Sequence, residues 1–287
     1  MLFDKILCTG GSGRMGYYVV NRIMDKCDLT VLDLKPPPQS RVAYCDTNIM
    51  DHEGLKKDFA GHEAVLHLAA IPNPRIAPAD VTFKNNVIGT WSVLDAAEEA
   101  GVKRVVVASS DAIFGLQYNT ANGGPHYLPV DEDYPIHATD FYSLSKECTE
   151  TICKSYIRRA KMEIVIIRSA FNAFPSLYPE LRHRGNDVHN YHLWAYVAPE
   201  DVAQAFELCL SRKKCNGKTF IIAAKDGLNV RPTLEMLQER YGRNIKIKNM
   251  NYFKTLKTAS ILNTTKASNE LGYDPVVSWQ ELEQRIP

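Results

Sequence analysis

The sequence predicts an α/β fold, a doubly wound parallel sheet completed by a small C-terminal cap. Two observations carry this. Short β-branched runs alternate with longer helical patterns from the first residues onward, and a glycine-rich turn lies between the first run and the first helical pattern. Runs at residues 5–8, 29–33, 64–68, 104–108, 163–168 and 219–222 read as strands, and helical patterns begin near Gly13, Gly54, Asn85, Tyr142 and Pro199. Within 85–100, Val87, Thr90, Trp91, Leu94 and Ala97 share one helical face while Asp95, Glu98 and Glu99 fall elsewhere, the pattern of an amphipathic helix. Residues 1–170 read as the core. Residues 171–287 read as a mixed segment that completes the sheet and forms the cap, within one integrated unit, with a helical stretch at 232–241 and a turn at 271–275.

Composition bounds the function. The chain has 287 residues, 45% hydrophobic and 23% charged, enough for a substantial core. Lys plus Arg number 34 against 33 Asp plus Glu, so no net field draws the chain to nucleic acid or to an anionic membrane. Any anionic ligand must be held locally. The first residues lack a basic leader and pass directly into a strand, and no apolar run approaches the roughly 20 residues of a membrane span, so a cytoplasmic location is expected. Seven cysteines without Cys-x-x-Cys spacing read as reduced structural thiols.

The turn Thr9-Gly10-Gly11-Ser12-Gly13-Arg14-Met15-Gly16 follows the first strand and opens a helix, the context in which glycines let backbone amides approach a pyrophosphate. Asp33 ends the second strand about 20 residues further on, where a carboxylate accepts from ribose hydroxyls. The pair predicts a dinucleotide site of the Rossmann type. A carboxylate there would repel an added ribose phosphate, which favours NAD over NADP, with Lys35 and Arg14 as nearby cations. Three segments that break the strand and helix pattern, 35–38, 72–74 and 117–134, follow predicted strands and fall at the sheet rim where such folds bind ligands.

Downstream, Phe141-Tyr142-Ser143-Leu144-Ser145-Lys146 sets a tyrosine and a lysine at i, i+4, on one helix face. An adjacent ammonium favours the phenolate, which suits proton transfer. Ser109-Ser110, after the strand at 104–108, add a hydroxyl to orient a substrate oxygen.

With these motifs in place the chain resembles the extended short-chain dehydrogenase/reductases, within the NAD-dependent epimerase/dehydratase superfamily. The resemblance rests on TGGSGRMG, VLDL, the turn at Asp46, HLAA at 67–70, NNVIGT at 85–90, VVVASSDAIFG, YSLSK, RSAFN at 168–172 and APEDVAQAF, in order. It implies NAD held by Gly10, Gly13, Arg14, Met15, Gly16, Asp33, Asp46, Leu68, Ala69, Ala70 and Asn86 together with Tyr142 and Lys146. It also implies catalysis by Ser110, Tyr142 and Lys146, and a homodimer built by pairing the helices near 85–100 and 142–159 with their copies.

Departures from pattern bear on the reaction. Ser110 is followed by Asp111-Ala112, without the Asp-Glu pair that dehydratases of this family carry. Only about thirty residues separate Asn172 from Asp201, short for a nucleotide-diphosphate pocket. The compact cap resembles instead the uronate dehydrogenases, so the expected reaction is hydride transfer between a free sugar or sugar acid and NAD. A nucleotide-sugar epimerase and a non-catalytic NAD sensor are the alternatives. Those dehydrogenases grip the substrate carboxylate with an arginine where this chain has Tyr191. The donor-rich segment Arg182-His183-Arg184 with His189 and His192 offers substitutes. Pro72, Asn73, Asp111, Asn172, Tyr191 and the loop at 117–127 are the expected substrate contacts. Arg168 is placed either near the cofactor or in a buried structural role, and no metal site is expected.

Overall fold

The computed structural model describes residues 2–117, 124–242 and 245–286. Strands β1 (Lys5–Thr9), β2 (Asp28–Asp33), β3 (Ala43–Asp46), β4 (Ala64–His67), β5 (Arg104–Ser110), β6 (Glu163–Ser169) and β7 (Thr219–Ile222) pair in parallel in the order β3-β2-β1-β4-β5-β6-β7. This is the doubly wound sheet that the alternating pattern predicts. Alternate residues feed two cores: Ile6 and Cys8 of β1 enter one, Leu7 the other, and Val165 and Ile167 of β6 oppose Ile164 and Ile166 in the same way. Burial on both faces explains why these strands read as continuous apolar runs.

One face is covered by α1 (Arg14–Ile23), which packs on α7 (Pro199–Ser211). The other is covered by α2 (His52–Phe59), α4 (Gly89–Glu99) and α5 (Phe141–Arg159). Between α2 and α4 lie α3 (Ala79–Phe83) and a π-helical turn, Lys84–Ile88. The cap contains α6 (Tyr178–Asn186), α8 (Thr233–Tyr241), α9 (Met250–Thr255), α10 (Thr265–Leu271) and α11 (Trp279–Gln284). Its helices close on the β6–β7 side of the sheet, where Tyr273 donates to the carbonyl of Ala223 at 3.0 Å.

Three features differ from the sequence reading. β3 is a four-residue edge strand bonded only to β2 and only partly buried, so no apolar run announces it. The helix expected from Asn85 starts at Ala79 and passes through the π turn. Its buried stripe runs through Thr90, Val93, Leu94 and Ala97, which leaves Trp91 44% exposed against the His52 ring. The donor-rich segment 182–184, outside every helix the sequence predicts, belongs to α6, a polar helix buried only at Tyr178, Leu181 and Gly185.

Candidate active site

All seven strands run the same way, so the C-terminal ends of β1, β4, β5 and β6 meet at one edge. The order reverses between β1 and β4, the place where open α/β sheets bind ligands. The glycine turn bends there. Gly10 has φ +74°, and a Cβ on it would lie 2.5 Å from the Ala69 amide nitrogen. A Cβ on Gly16 would meet the Gly10 carbonyl at 2.3 Å, so both positions exclude every other residue. Gly13 caps α1 without any side-chain hydrogen bond, and the first turn holds no acid. The leading amides of α1 are therefore open to a phosphate.

Asp33 closes the other side of this cleft. Its carboxylate accepts from the amides of Ser12 at 3.0 Å and Leu34 at 2.7 Å, which ties the end of β2 to the glycine turn. The cleft, about 390 Å³, is lined by Gly10, Gly13, Arg14, Met15, Gly16, Asp33, Leu68, Ala69 and Ala70, with Thr47, Asn48 and Ile49 beyond β3. A glycine cradle, an uncapped helix and a fixed carboxylate fit a dinucleotide. Two expected contacts stand elsewhere. Asp46 ends β3 on the exposed surface, and the following residues Thr47 to Ile49 face the cleft instead. Asn86 is buried and used internally: its Oδ1 accepts from the Ile71 amide at 2.8 Å, and its Nδ2 donates to the Ile71 carbonyl and to Ser145 Oγ. The π turn brings its neighbour Asn85 to the cleft.

His67 locks the end of β4. Thr90 Oγ1 gives its proton to the Asn86 carbonyl at 2.6 Å, so His67 Nε2 donates to Thr90 and Nδ1 accepts from Thr9 Oγ1 at 2.8 Å. Burial pushes this imidazole down to about 3, so it stays neutral in this role.

A second cleft of about 450 Å³ continues from the first, sharing Arg14, Met15, Leu68, Ala70, Pro72, Asn172 and Phe174. Ser110, Asp111, Tyr142 and Lys146 meet in it. Asp140 caps α5, accepting from the amides of Tyr142 at 2.9 Å and Ser143 at 3.0 Å in a capping box, which fixes where the tyrosine emerges. One turn on, Lys146 Nζ lies 6.0 Å from the Tyr142 ring centroid and donates to the Ala108 carbonyl at 2.8 Å. Burial brings its ammonium down to about 8.

Ser110 Oγ accepts from the Ala112 amide at 3.1 Å and donates to Asp111 Oδ1 at 3.3 Å. Burial of Asp111 outweighs its hydrogen bonds with Gln117 and Ser110 and raises its carboxyl to about 7. The five residues expected to touch substrate, Pro72, Asn73, Asp111, Asn172 and Tyr191, all line this cleft. Asn172 Oδ1 is buried with no hydrogen-bond partner among the described residues. Of the loop at 117–127, Gln117 lines the cleft, and 118–123 lie outside the described residues.

Arg168 takes the buried structural role. It grips Glu150 with two hydrogen bonds of 2.9 and 2.8 Å, and Glu150 also accepts from Ser109 Oγ at 2.7 Å. Glu150 carried no signal in the sequence beyond a charge on a helix. Arg75, in the loop after β4, was also missed, yet it lines the cleft with Arg184, Tyr191 and His192. His183 and His189 are exposed and absent from the lining of this cleft. Leu193 and Trp194 follow with φ of +48° and +62°, a strained pair held by the bond from Trp194 Nε1 to the Asp187 carbonyl at 3.0 Å.

All seven cysteines are free, and among the described residues no helix is long and apolar enough to cross a membrane. One group of metal-type side chains converges away from the clefts, His52, Asp95 and Glu99, where Lys56 already pairs with Glu99 at 2.6 Å.

The model of the NAD dependent epimerase/dehydratase family matches residues 6–223, and the chain belongs to that family. Its cofactor is accordingly NAD. The chain is 26% identical, over 72% of its own length and 80% of the relative's, to a NAD-dependent glucose-6-phosphate dehydrogenase of Haloferax volcanii. It is 27% identical, over 70% and 80%, to an L-arabinose 1-dehydrogenase (NAD(P)(+)) of the same organism. It is 25% identical, over 81% and 69%, to a UDP-glucose 4-epimerase of Bacillus subtilis. Among solved structures, a short-chain dehydrogenase/reductase superfamily protein from Agrobacterium tumefaciens with bound NAD superposes with a TM-score of 0.75 at 22% identity, covering 98% of this chain and 95% of that one.

Proposed function

We propose that this chain is an NAD-dependent dehydrogenase of a free sugar or sugar acid of the uronate kind. The observation that carries the reading is the meeting of Ser110, Tyr142 and Lys146 in a cleft continuous with the glycine cradle and closed by a short cap. The chain between Asn172 and Asp201 forms a 3₁₀ turn and the nine-residue α6 before Tyr191 and His192 wall off the cleft, which supports a small substrate over a nucleotide sugar. Two of the relatives above act on unactivated or singly phosphorylated sugars by name, in keeping with this reading.

The Lys146 charge one helical turn away stabilises Tyr142 as the phenolate, which takes the proton of the substrate hydroxyl and becomes the neutral phenol. Ser110 holds the reacting oxygen, and its bonds to Ala112 and Asp111 fix its rotamer. Gly10, Gly13 and Gly16 admit the pyrophosphate, and Asp33 takes the ribose hydroxyls. When bound, NAD supplies the hydride acceptor. The test is NADH formation from NAD across a panel of uronates, aldoses and polyols. Net NADH is expected. Turnover of a nucleotide sugar without net NADH would replace this reading with epimerisation, and tight NAD binding with no turnover would replace it with a sensor.

The same reading includes a homodimer. Val81, Phe83, Ile88 and Leu144 are 36–46% exposed on α3, the π turn and α5, which pack together and present these side chains to solvent.

A further inference from the structure

We propose that the cap end of the cleft is an anion subsite in which Arg75 and Arg184 hold a carboxylate carried by the substrate. The inference rests on the dehydrogenase reading and names the class of molecule that site takes.

The two guanidinium groups come from separate parts of the chain, the loop after β4 and α6, and converge on one ring. Arg75 lies 5.5 Å and Arg184 5.6 Å from the Tyr191 centroid, and Arg184 Nη1 donates to the Tyr191 hydroxyl at 3.4 Å. Arg184 also sits 4.9 Å from the Phe171 centroid, and His192 stacks between Tyr191 at 4.2 Å and Phe171 at 4.6 Å. Tyr191 therefore stands where a clamping arginine was expected and serves as the platform for two.

Charge decides what this platform takes. Arg184 is already paired with Glu180 at 2.8 Å, whereas Arg75 has no ion pair among the described residues. His192 is buried in the wall and kept neutral, at about 3, by burial and by the charges of Arg184 and Arg75. Two guanidiniums and one carboxylate leave the subsite with one positive charge, which a carboxylate neutralises and a phosphate dianion exceeds. His192 Nδ1 is buried with no partner among the described residues, a polar atom in a wall otherwise made of rings and guanidiniums. At the opposite end, the Lys146 ammonium is turned to the Ala108 carbonyl and Asp111 carries the only carboxyl lining the cleft among the described residues, so an acidic substrate is oriented with its anion toward the cap.

The experiment compares D-glucuronate, D-galacturonate, D-glucose, D-galactose and D-glucose 6-phosphate with wild type, Arg75→Gln and Arg75→Gln/Arg184→Gln. Arg75 is exposed, so its variant folds normally, and Arg182→Gln, on the same helix outside the cleft, is the control. The expected result is a uronate preference, with the uronate-to-aldose ratio of kcat/KM falling about tenfold to a hundredfold in Arg75→Gln, mainly through KM. An unchanged ratio overturns the subsite, and a larger loss for glucose 6-phosphate than for either uronate overturns the carboxylate assignment. If no sugar yields NADH, the dehydrogenase reading fails separately. Calorimetry of D-glucuronate with the NADH complex then decides the subsite, which stands only if binding is lost in Arg75→Gln.

Discussion

Lys146 reaches across from α5 to the carbonyl of Ala108, the residue two before Ser110 on β5. That 2.8 Å bond joins the helix carrying Tyr142 to the strand carrying Ser110, so the ammonium both orients the site and sets its charge. Tyr142→Phe removes the proton acceptor alone and is expected to lower kcat about 10² to 10⁴-fold. NADH affinity, read from fluorescence quenching, should change only a few-fold. Equal loss of binding and turnover would make Tyr142 a packing residue.

Asp33 is fixed by two amides yet still lines the cofactor cleft. Asp33→Ala removes the ribose acceptor and is expected to weaken NAD about tenfold to a hundredfold in Kd, the worth of a hydrogen bond to a charged group. NADP should lose far less, since the same change removes a repulsion. Calorimetric titration with both dinucleotides checks the contrast, and parallel losses would refute it.

The fold was legible because its cues are local. Continuous apolar runs mark strands buried on both faces, and Gly10 and Gly16 mark backbone contacts too close for any side chain. The convergence of Ser110, Tyr142 and Lys146 on one cleft was legible because Tyr142 and Lys146 share one helix and Ser110 ends a recognisable strand. What was hidden depends on distance in sequence. Glu150 matters only because β6 brings Arg168 beneath it, 18 residues on. Arg75 matters only because Tyr191, more than a hundred residues away, offers it a ring. Asn86 and Asp46 sit at motif positions outside the cleft lining, one spent on the Ile71 backbone and one on the exposed end of β3.

The pair Glu150 and Arg168 is nearly sealed, with side chains 1% and 5% exposed. Breaking a buried pair strands a charge, so Glu150→Gln is expected to cost about 3–5 kcal/mol in urea unfolding. Glu150→Gln/Arg168→Met should recover much of that loss, because no uncompensated charge remains. A single variant within 1 kcal/mol of wild type by the same measurement would show that the pair contributes little.

The exposed apolar strip through Val81, Ile88 and Leu144 predicts self-association. Ile88→Glu/Leu144→Glu is expected to yield a monomer by light scattering at concentrations where wild type is a dimer. A wild-type monomer at all concentrations would leave the strip without this role.

Asp111 gives the site a pH signature in stability. Unfolded, its carboxyl ionises near 3.8, whereas in the fold burial holds the proton to about pH 7. Between those values the folded chain binds more protons, so Asp111 contributes stability below pH 4 that is lost as pH rises through 7. The full loss is about 4 kcal/mol at most, from a shift of roughly three units. His67 and His192, both held near 3, slope the other way, stabilising less as pH falls below 6.5. Asp111→Asn leaves those histidines in place, so subtracting its urea stability curve from that of wild type isolates the carboxyl. The variant should gain on wild type steadily from pH 4 to 7 and hold a constant lead above pH 8. A difference that does not vary with pH would mean that Asp111 ionises in the folded site just as it does in the unfolded chain, and that burial holds no proton on it.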